Sequence, residues 1–201
     1  MFSLYRFKPQ LDESLRPLAQ KLVNRGLTAN RITLVSAAGS AAVGLLLTLF
    51  SAVPFMFWLL LLWLPVRVVL EAADGVVARD FMQESAQGAY FNEAGKLLSD
   101  ALLFLPFAFV LPFGGAFAVA ALVWLGTVNE LCGLLGQVHG QHGRRYDGPL
   151  GLFDRAALLA VLALWYALAG SLNVFAAVLV WLAVAAAVLT AWQRFQNGLK
   201  I

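Results

Sequence analysis

The sequence predicts an all-α integral membrane protein, with six transmembrane helices preceded by an N-terminal amphipathic interfacial helix. Three observations predict it. The 201 residues are 61% hydrophobic and only 12% charged, whereas an average soluble chain carries about a quarter charged residues. Long uncharged stretches recur, each near the roughly 20 apolar residues that cross a bilayer's hydrocarbon core. The remaining charges gather on one side of those stretches, as the positive-inside rule requires of a polytopic protein.

The first thirty residues carry Arg6, Lys8, Arg16, Lys21 and Arg25 together with Asp12 and Glu13. They lack the uninterrupted apolar core of a cleavable signal. Leu11, Leu15, Leu18 and Leu22 recur at intervals of three and four, which places them on one helical face between basic residues. Residues 1–30 therefore read as an amphipathic helix lying on the membrane surface. A solvated tail is the plainer alternative.

Residues 31–201 form the membrane domain. Its spans are expected at 32–50, 53–66, 88–113, 116–138, 156–169 and 174–192. The second continues helically through Arg67 into Glu71 and Asp74. The third begins polar and turns apolar after Asp100, and the fourth is apolar apart from Asn129 and Glu130. Three connections are short and uncharged: Ser51-Ala52, Gly114-Gly115 and residues 170–173. The other side receives the N-terminal segment, residues 78–87, the loop 139–155 and the C-terminal tail. Every Arg and Lys except Arg67 and Lys96 falls on that side, which makes it cytoplasmic with both termini inside. The net charge of +3 and the pI near 9.3 are explained by that membrane-surface bias; no nucleic-acid partner is expected. Cys132 has no partner for a disulfide.

The residues that could carry chemistry lie at the cytoplasmic ends of the second and third spans. Glu71 and Asp74 are three apart and share a helix face. Asn92, Lys96 and Asp100 recur every four residues on the next helix, with Glu93 one turn from Lys96. Several carboxylates on two helices joined by a short loop repel one another unless cations lie between them. Hard divalent cations such as Mg²⁺ or Mn²⁺ take oxygen ligands of this kind. Interhelical salt bridges with Arg67, Arg79 and Lys96 answer the same need, and spacing alone leaves the two readings even. Glu130 and Asn129, inside a span, are expected to hydrogen-bond within the bundle and not to bind metal.

The run Asp74-Gly75-Val76-Val77-Ala78-Arg79, a spacer of eight, and then Gly88 resembles the signature of the CDP-alcohol phosphotransferase family, Asp-x-x-Asp-Gly-x-x-Ala-Arg followed by Gly-x-x-x-Asp-x-x-x-Asp. Two weaker echoes accompany it, Thr28-Ala29-Asn30-Arg31-Ile32-Thr33 before the first span, and Arg144-Arg145-Tyr146-Asp147-Gly148-Pro149 with Asp154-Arg155 before the fifth. The resemblance implies transfer of a phospho-alcohol group from a CDP-linked lipid donor to an acceptor alcohol with release of CMP. Its donor would be CDP-diacylglycerol, whose tails could pass between the helices into the bilayer, and a homodimer is allowed for. The resemblance also implies Mg²⁺ or Mn²⁺ as cofactor, held by Glu71, Asp74, Asn92 and Asp100. Gly75, Arg79, Gly88, Arg144 and Arg145 would meet the nucleotide and its phosphates, and Lys96, Asp100 and Glu93 would be the catalytic candidates. Three positions depart from the family pattern. Glu71 and Asn92 stand where the family has Asp, and Lys96 puts a cation where it has its base and one metal ligand. A catalytically impaired homologue that binds nucleotide or lipid is therefore the second reading. A small transporter or channel is the third, and it leaves the motif spacing a coincidence. His139 and His142 are loop residues without an assigned role.

Overall fold

The computed structural model describes residues 8–140 and 143–200; His142 and the first seven residues lie outside them. Among the described residues the chain is helical throughout, with no strand. Eight helices follow in order: α1 (Lys8–Asn24), α2 (Ala29–Leu49), α3 (Trp58–Asp80), α4 (Ala86–Phe104), α5 (Phe107–Val110), α6 (Gly115–His139), α7 (Leu152–Ala169) and α8 (Val174–Gly198). A 3-10 turn, Pro54–Phe57, leads into α3. Five segments are long and apolar enough to cross a membrane: Ala29–Leu49, Pro54–Asp80, Gly115–His139, Leu152–Ala169 and Val174–Gly198.

The expected third span, 88–113, is not one helix. It divides at Leu105-Pro106 into α4 and the single-turn α5. Proline has no N–H to continue the helix ladder and its ring crowds the preceding turn. Pro65 lies inside α3 without ending it. The run from residue 58 through Glu71 and Asp74 stays helical to Asp80, so the acidic residues ride on a continuous rod.

The helices pair α6 with α8, α2 with both α3 and α4, and α7 with α3. At the end carrying the uncharged connections, Phe57 meets Phe107 and Tyr166 edge-on at centroid distances of 5.3 and 4.7 Å. The Tyr166 hydroxyl donates to the Ser51 carbonyl at 2.9 Å. Burying aromatic rings this way contributes packing beyond their area. Large apolar side chains such as Leu49, Phe117 and Phe175 stay exposed on the outer faces, as an apolar solvent allows.

α1 packs on the polar half of α3. Ala19 is buried with Val76 and Val77, and the leucine stripe of α1 is half-buried. Asp12 accepts from Arg79 at 2.7 Å and Arg16 lies 3.2 Å from Asp80. The helix predicted from the stripe thus forms, and part of its apolar face covers protein.

α2 and α4 approach closely at Gly44, where an added Cβ would lie 2.4 Å from the Leu102 carbonyl oxygen. Backbone cannot yield as a side chain end does, so Gly44→Ala should destabilise the bundle by about 1–3 kcal/mol. Thermal unfolding in detergent will read this as a lowered midpoint; an unchanged midpoint would contradict the α2–α4 contact.

Candidate functional site

Most of the signature residues line one pocket at the charged end of the bundle. A polar cavity of about 720 Å³ is lined by Asn30 and Thr33 of α2, Asp74, Gly75 and Arg79 of α3, Gly88 and Asn92 of α4, and Arg144 and Tyr146 of the loop before α7. Its walls follow from local rules. Thr28 caps α2 by accepting from the Arg31 N–H at 3.4 Å, and Ser85 caps α4 by accepting from Gly88 N–H at 3.0 Å. Such caps satisfy donors that a helix start leaves open. A Cβ on Gly88 would lie 2.4 Å from Asn30 Oδ1 and 2.9 Å from Ser85 Oγ; the glycine lets the starts of α2 and α4 meet. At Gly75 the only close atoms are those of the Arg79 guanidinium, 3.2 Å away, so that stretch of α3 backbone is open to the pocket.

Asp74 is buried, and its Oδ2 accepts from the Thr33 hydroxyl at 2.8 Å. Beneath it, Glu71, Asp74, Asn92 and Lys96 line a second, very small cavity with Ser36 and Ser99. Asn92 Oδ1 is buried there without a hydrogen-bond partner among the described residues. Lys96 lies within electrostatic range of Asp74.

The other ionisable residues form a chain of arginine bridges. Arg67 Nε donates to Glu71 at 2.8 Å and its Nη2 to Asp100 at 2.6 Å. Arg155 Nε donates to the other Asp100 oxygen at 2.8 Å, and Arg155 Nη2 to Glu130 at 3.1 Å. Glu130 also meets Arg144 at 2.9 Å and Arg194 at 3.4 Å. Arg144 grips both oxygens of Glu93. Burial opposes the Arg144 charge, but the bidentate Glu93 outweighs it and holds the guanidinium's pKa above its ordinary value. Arg67, Arg155 and Arg194 are almost wholly buried.

Glu71, Asp74 and Asn92 therefore share one small cavity with Lys96. Asp100 does not: it faces an adjoining cavity lined by Leu97, Phe104, Leu122 and Arg155. Glu93 points at Arg144. Arg79 lines the main pocket while held by Asp12. Arg145 is drawn away from the pocket, its Nη2 donating to the Asn197 carbonyl at 2.7 Å and its backbone N–H to Gly133 at 3.2 Å. Glu130 hydrogen-bonds within the bundle as expected. Arg194 carried no site role in the sequence, and Thr33 and Arg155 stood only within the weaker echoes of the family pattern. An arginine opening an apolar span was the available signal for Arg155, because a charge at membrane depth needs a partner.

The chain is 41% identical over 160 residues to the inner membrane protein YnbA of Escherichia coli (strain K12), covering 79% of this chain and 78% of that one. No family model matches it. The fold matches phosphatidylinositol phosphate synthase PgsA1 of Mycobacterium tuberculosis. The structure of that enzyme with CDP-DAG bound superposes with a TM-score of 0.71 at 20% identity, covering 90% of this chain and 92% of that one. The same enzyme in complex with manganese and citrate gives 0.70 at 20% identity, covering 90% and 87%. At that identity the likeness is one of fold.

The residues present do not fit the pair of divalent cations that the motif implies. Asp100, Glu93 and Glu130 give both carboxylate oxygens to arginines, and Glu71 gives one to Arg67. Asn92 is neutral and Lys96 is a cation. Among the described residues, no three Asp, Glu, His or Cys side chains gather as a cation cage.

Removing one partner from a buried ion pair leaves an uncompensated charge, at a cost of about 3–5 kcal/mol. Arg155→Met should therefore destabilise the fold by that order, and adding Asp100→Asn should recover part of the loss. Thermal unfolding of the single and double variants checks this; additive losses would sink the coupling.

Proposed function

The chain belongs to the family of the inner membrane protein YnbA, and on that premise we propose an integral protein of the bacterial inner membrane that binds a CDP-linked lipid, with CDP-diacylglycerol as donor, and transfers its phospho-alcohol group to an acceptor alcohol, releasing CMP. One observation carries the reading: the motif residues Asp74, Gly75, Arg79, Gly88 and Asn92, from two helices, line a single polar pocket. The fold shared with an enzyme whose structure holds CDP-DAG supports it. In this reading α4 and α5 together make the sixth crossing, residues 1–30 lie at the interface, and residues 31–201 are the membrane domain. The basic residues at the pocket end favour a cytoplasmic pocket and cytoplasmic termini.

Gly75 leaves the α3 backbone open to a nucleotide, and Arg79 and Arg144 are the guanidinium groups nearest a diphosphate in the pocket. In the transfer, the acceptor oxygen attacks the lipid-bearing phosphorus, the bond to CMP breaks, and the acceptor's proton passes to a base. The candidates for that base, Asp100 and Glu93, are each held on both oxygens by arginine. Lys96, charged, has no lone pair to accept a proton. These contacts favour the second reading, a homologue that binds donor and turns it over poorly.

Purified protein mixed with CDP-diacylglycerol and an acceptor alcohol should bind the donor and release CMP slowly. Arg79→Ala removes a charged hydrogen-bond donor worth about 1.5–3 kcal/mol and should weaken donor binding by about tenfold or more. The absence of both donor binding and CMP release would overturn the assignment. Binding without CMP leaves the second reading standing alone.

A further inference from the structure

The motif-bearing cavity holds its own cation. Lys96 lines the small cavity with Glu71 and Asp74, and among the described residues its ammonium has no ion pair or hydrogen bond of its own. It is half-buried. Asp74, in turn, is the carboxylate of the group that no arginine touches; its recorded side-chain partner is the neutral Thr33 hydroxyl. The carboxylate without an arginine and the ammonium without an ion pair thus line one small cavity. Every other carboxylate of the group is neutralised by an arginine at 3.4 Å or less.

We infer that the main pocket binds a nucleoside diphosphate-linked ligand without a divalent cation, because Lys96, in the small adjoining cavity that shares Asp74 and Asn92 with it, supplies the positive charge that a metal ion would bring. The inference rests on the proposed binding of a CDP-linked lipid. Two features of the pocket extend it. Arg79 and Arg144 already line the wall, and guanidinium groups can bind phosphate oxygens directly. The Arg144 Nε–H is buried without a partner among the described residues, so the bidentate bond to Glu93 leaves part of its donor capacity unused. An added divalent cation would meet Lys96 at close range. Two like unit charges about 4 Å apart repel by about 1 kcal/mol in water and several-fold more in a partly dry site. Phosphate would then be recognised by fixed side chains, with no ion to bridge protein and ligand.

The purified full chain in lipid nanodiscs, titrated with CDP-diacylglycerol in EDTA, in Mg²⁺ and in Mn²⁺, should give the same Kd within about twofold, far inside the tenfold that marks a substantial change in binding. Lys96→Asp should make binding cation-dependent, falling about tenfold or more in EDTA and returning with Mn²⁺. Lys96→Met, which removes the charge without adding a ligand, should weaken binding in every buffer. A parallel Mn²⁺ titration followed by electron paramagnetic resonance needs no nucleotide: it should show no tightly held ion on the natural chain and a bound ion on Lys96→Asp. Wild-type binding that is lost in EDTA, or a stoichiometric Mn²⁺ on the natural chain, overturns the inference and leaves the proposed function intact. Failure of donor binding in all buffers instead removes the proposed function, and the Mn²⁺ titration then decides whether Lys96 excludes the ion.

Discussion

The fold depends on pairing most of the charge that it buries among apolar helices. An unpaired ionised side chain near the bilayer centre costs at least about 2.5–3.5 kcal/mol, and this chain buries Arg67, Asp100, Glu130, Arg155 and Arg194. Its solution is alternation. Glu71, Arg67, Asp100, Arg155, Glu130, Arg144 and Glu93 follow one another in space, each between partners of opposite sign except at the ends. They come from α3, α4, α6, the loop before α7, and α7 itself. Sliding any of these helices by one turn would separate two charges from their partners. Buried ion pairs add little net stability over apolar packing; their effect here is to fix register where smooth apolar faces leave it loose.

That constraint shapes the pocket above it. The buried arginines are consumed within the bundle: Arg67 and Arg155 by two carboxylates each, Arg194 by Glu130 and by the carbonyls of Asn129 and Asp147. What remains toward the pocket is the edge of Arg144 and the side chain of Arg79, the latter shared with Asp12 of α1. The N-terminal helix therefore reaches the ligand wall through one carboxylate. The loop before α7 reaches it through Arg144, which lies 5.5 Å over the Tyr146 ring. Two segments outside the apolar spans finish a site whose floor belongs to α3 and α4.

Much of this was legible in the sequence, for different reasons at different residues. The spans α2, α6, α7 and α8 are read from composition alone, since any helix crossing lipid must be apolar over its length. The break at Pro106 was written in the sequence but hidden by the strong apolar run after Asp100. Asp74, Gly75, Arg79 and Gly88 were found because a fixed spacing across two helices is hard to produce by chance. The partnership of Asp100 with Arg155 is a contact across 55 residues, and periodicity carries no information on which helices become neighbours. The same blindness hid the destination of Arg145, whose charge suggested phosphate while its geometry serves the end of α8. Glu130 was legible as a paired residue but its three partners were not.

Lys96 gains its meaning only from what surrounds it. By spacing it is a member of the motif carrying the wrong charge, and decay of the site would explain that. Decay, however, gives no account of a lysine set beside Asp74, the acid of that charged group that no arginine touches among the described residues. Nor does it account for Gly75 leaving α3 open to the pocket, or for Gly88 at an approach where even a methyl group would collide with Asn30. An ammonium beside Asp74 lowers the electrostatic cost of keeping that carboxylate buried, and it does so whether or not a ligand is present. A metal ion would do the same only when bound. With Lys96 in place of a diffusible ion, as proposed, the charge of Asp74 would be balanced by the chain itself. The expected consequence is less a lost pocket than a pocket whose ligand no longer needs an ion to hold it.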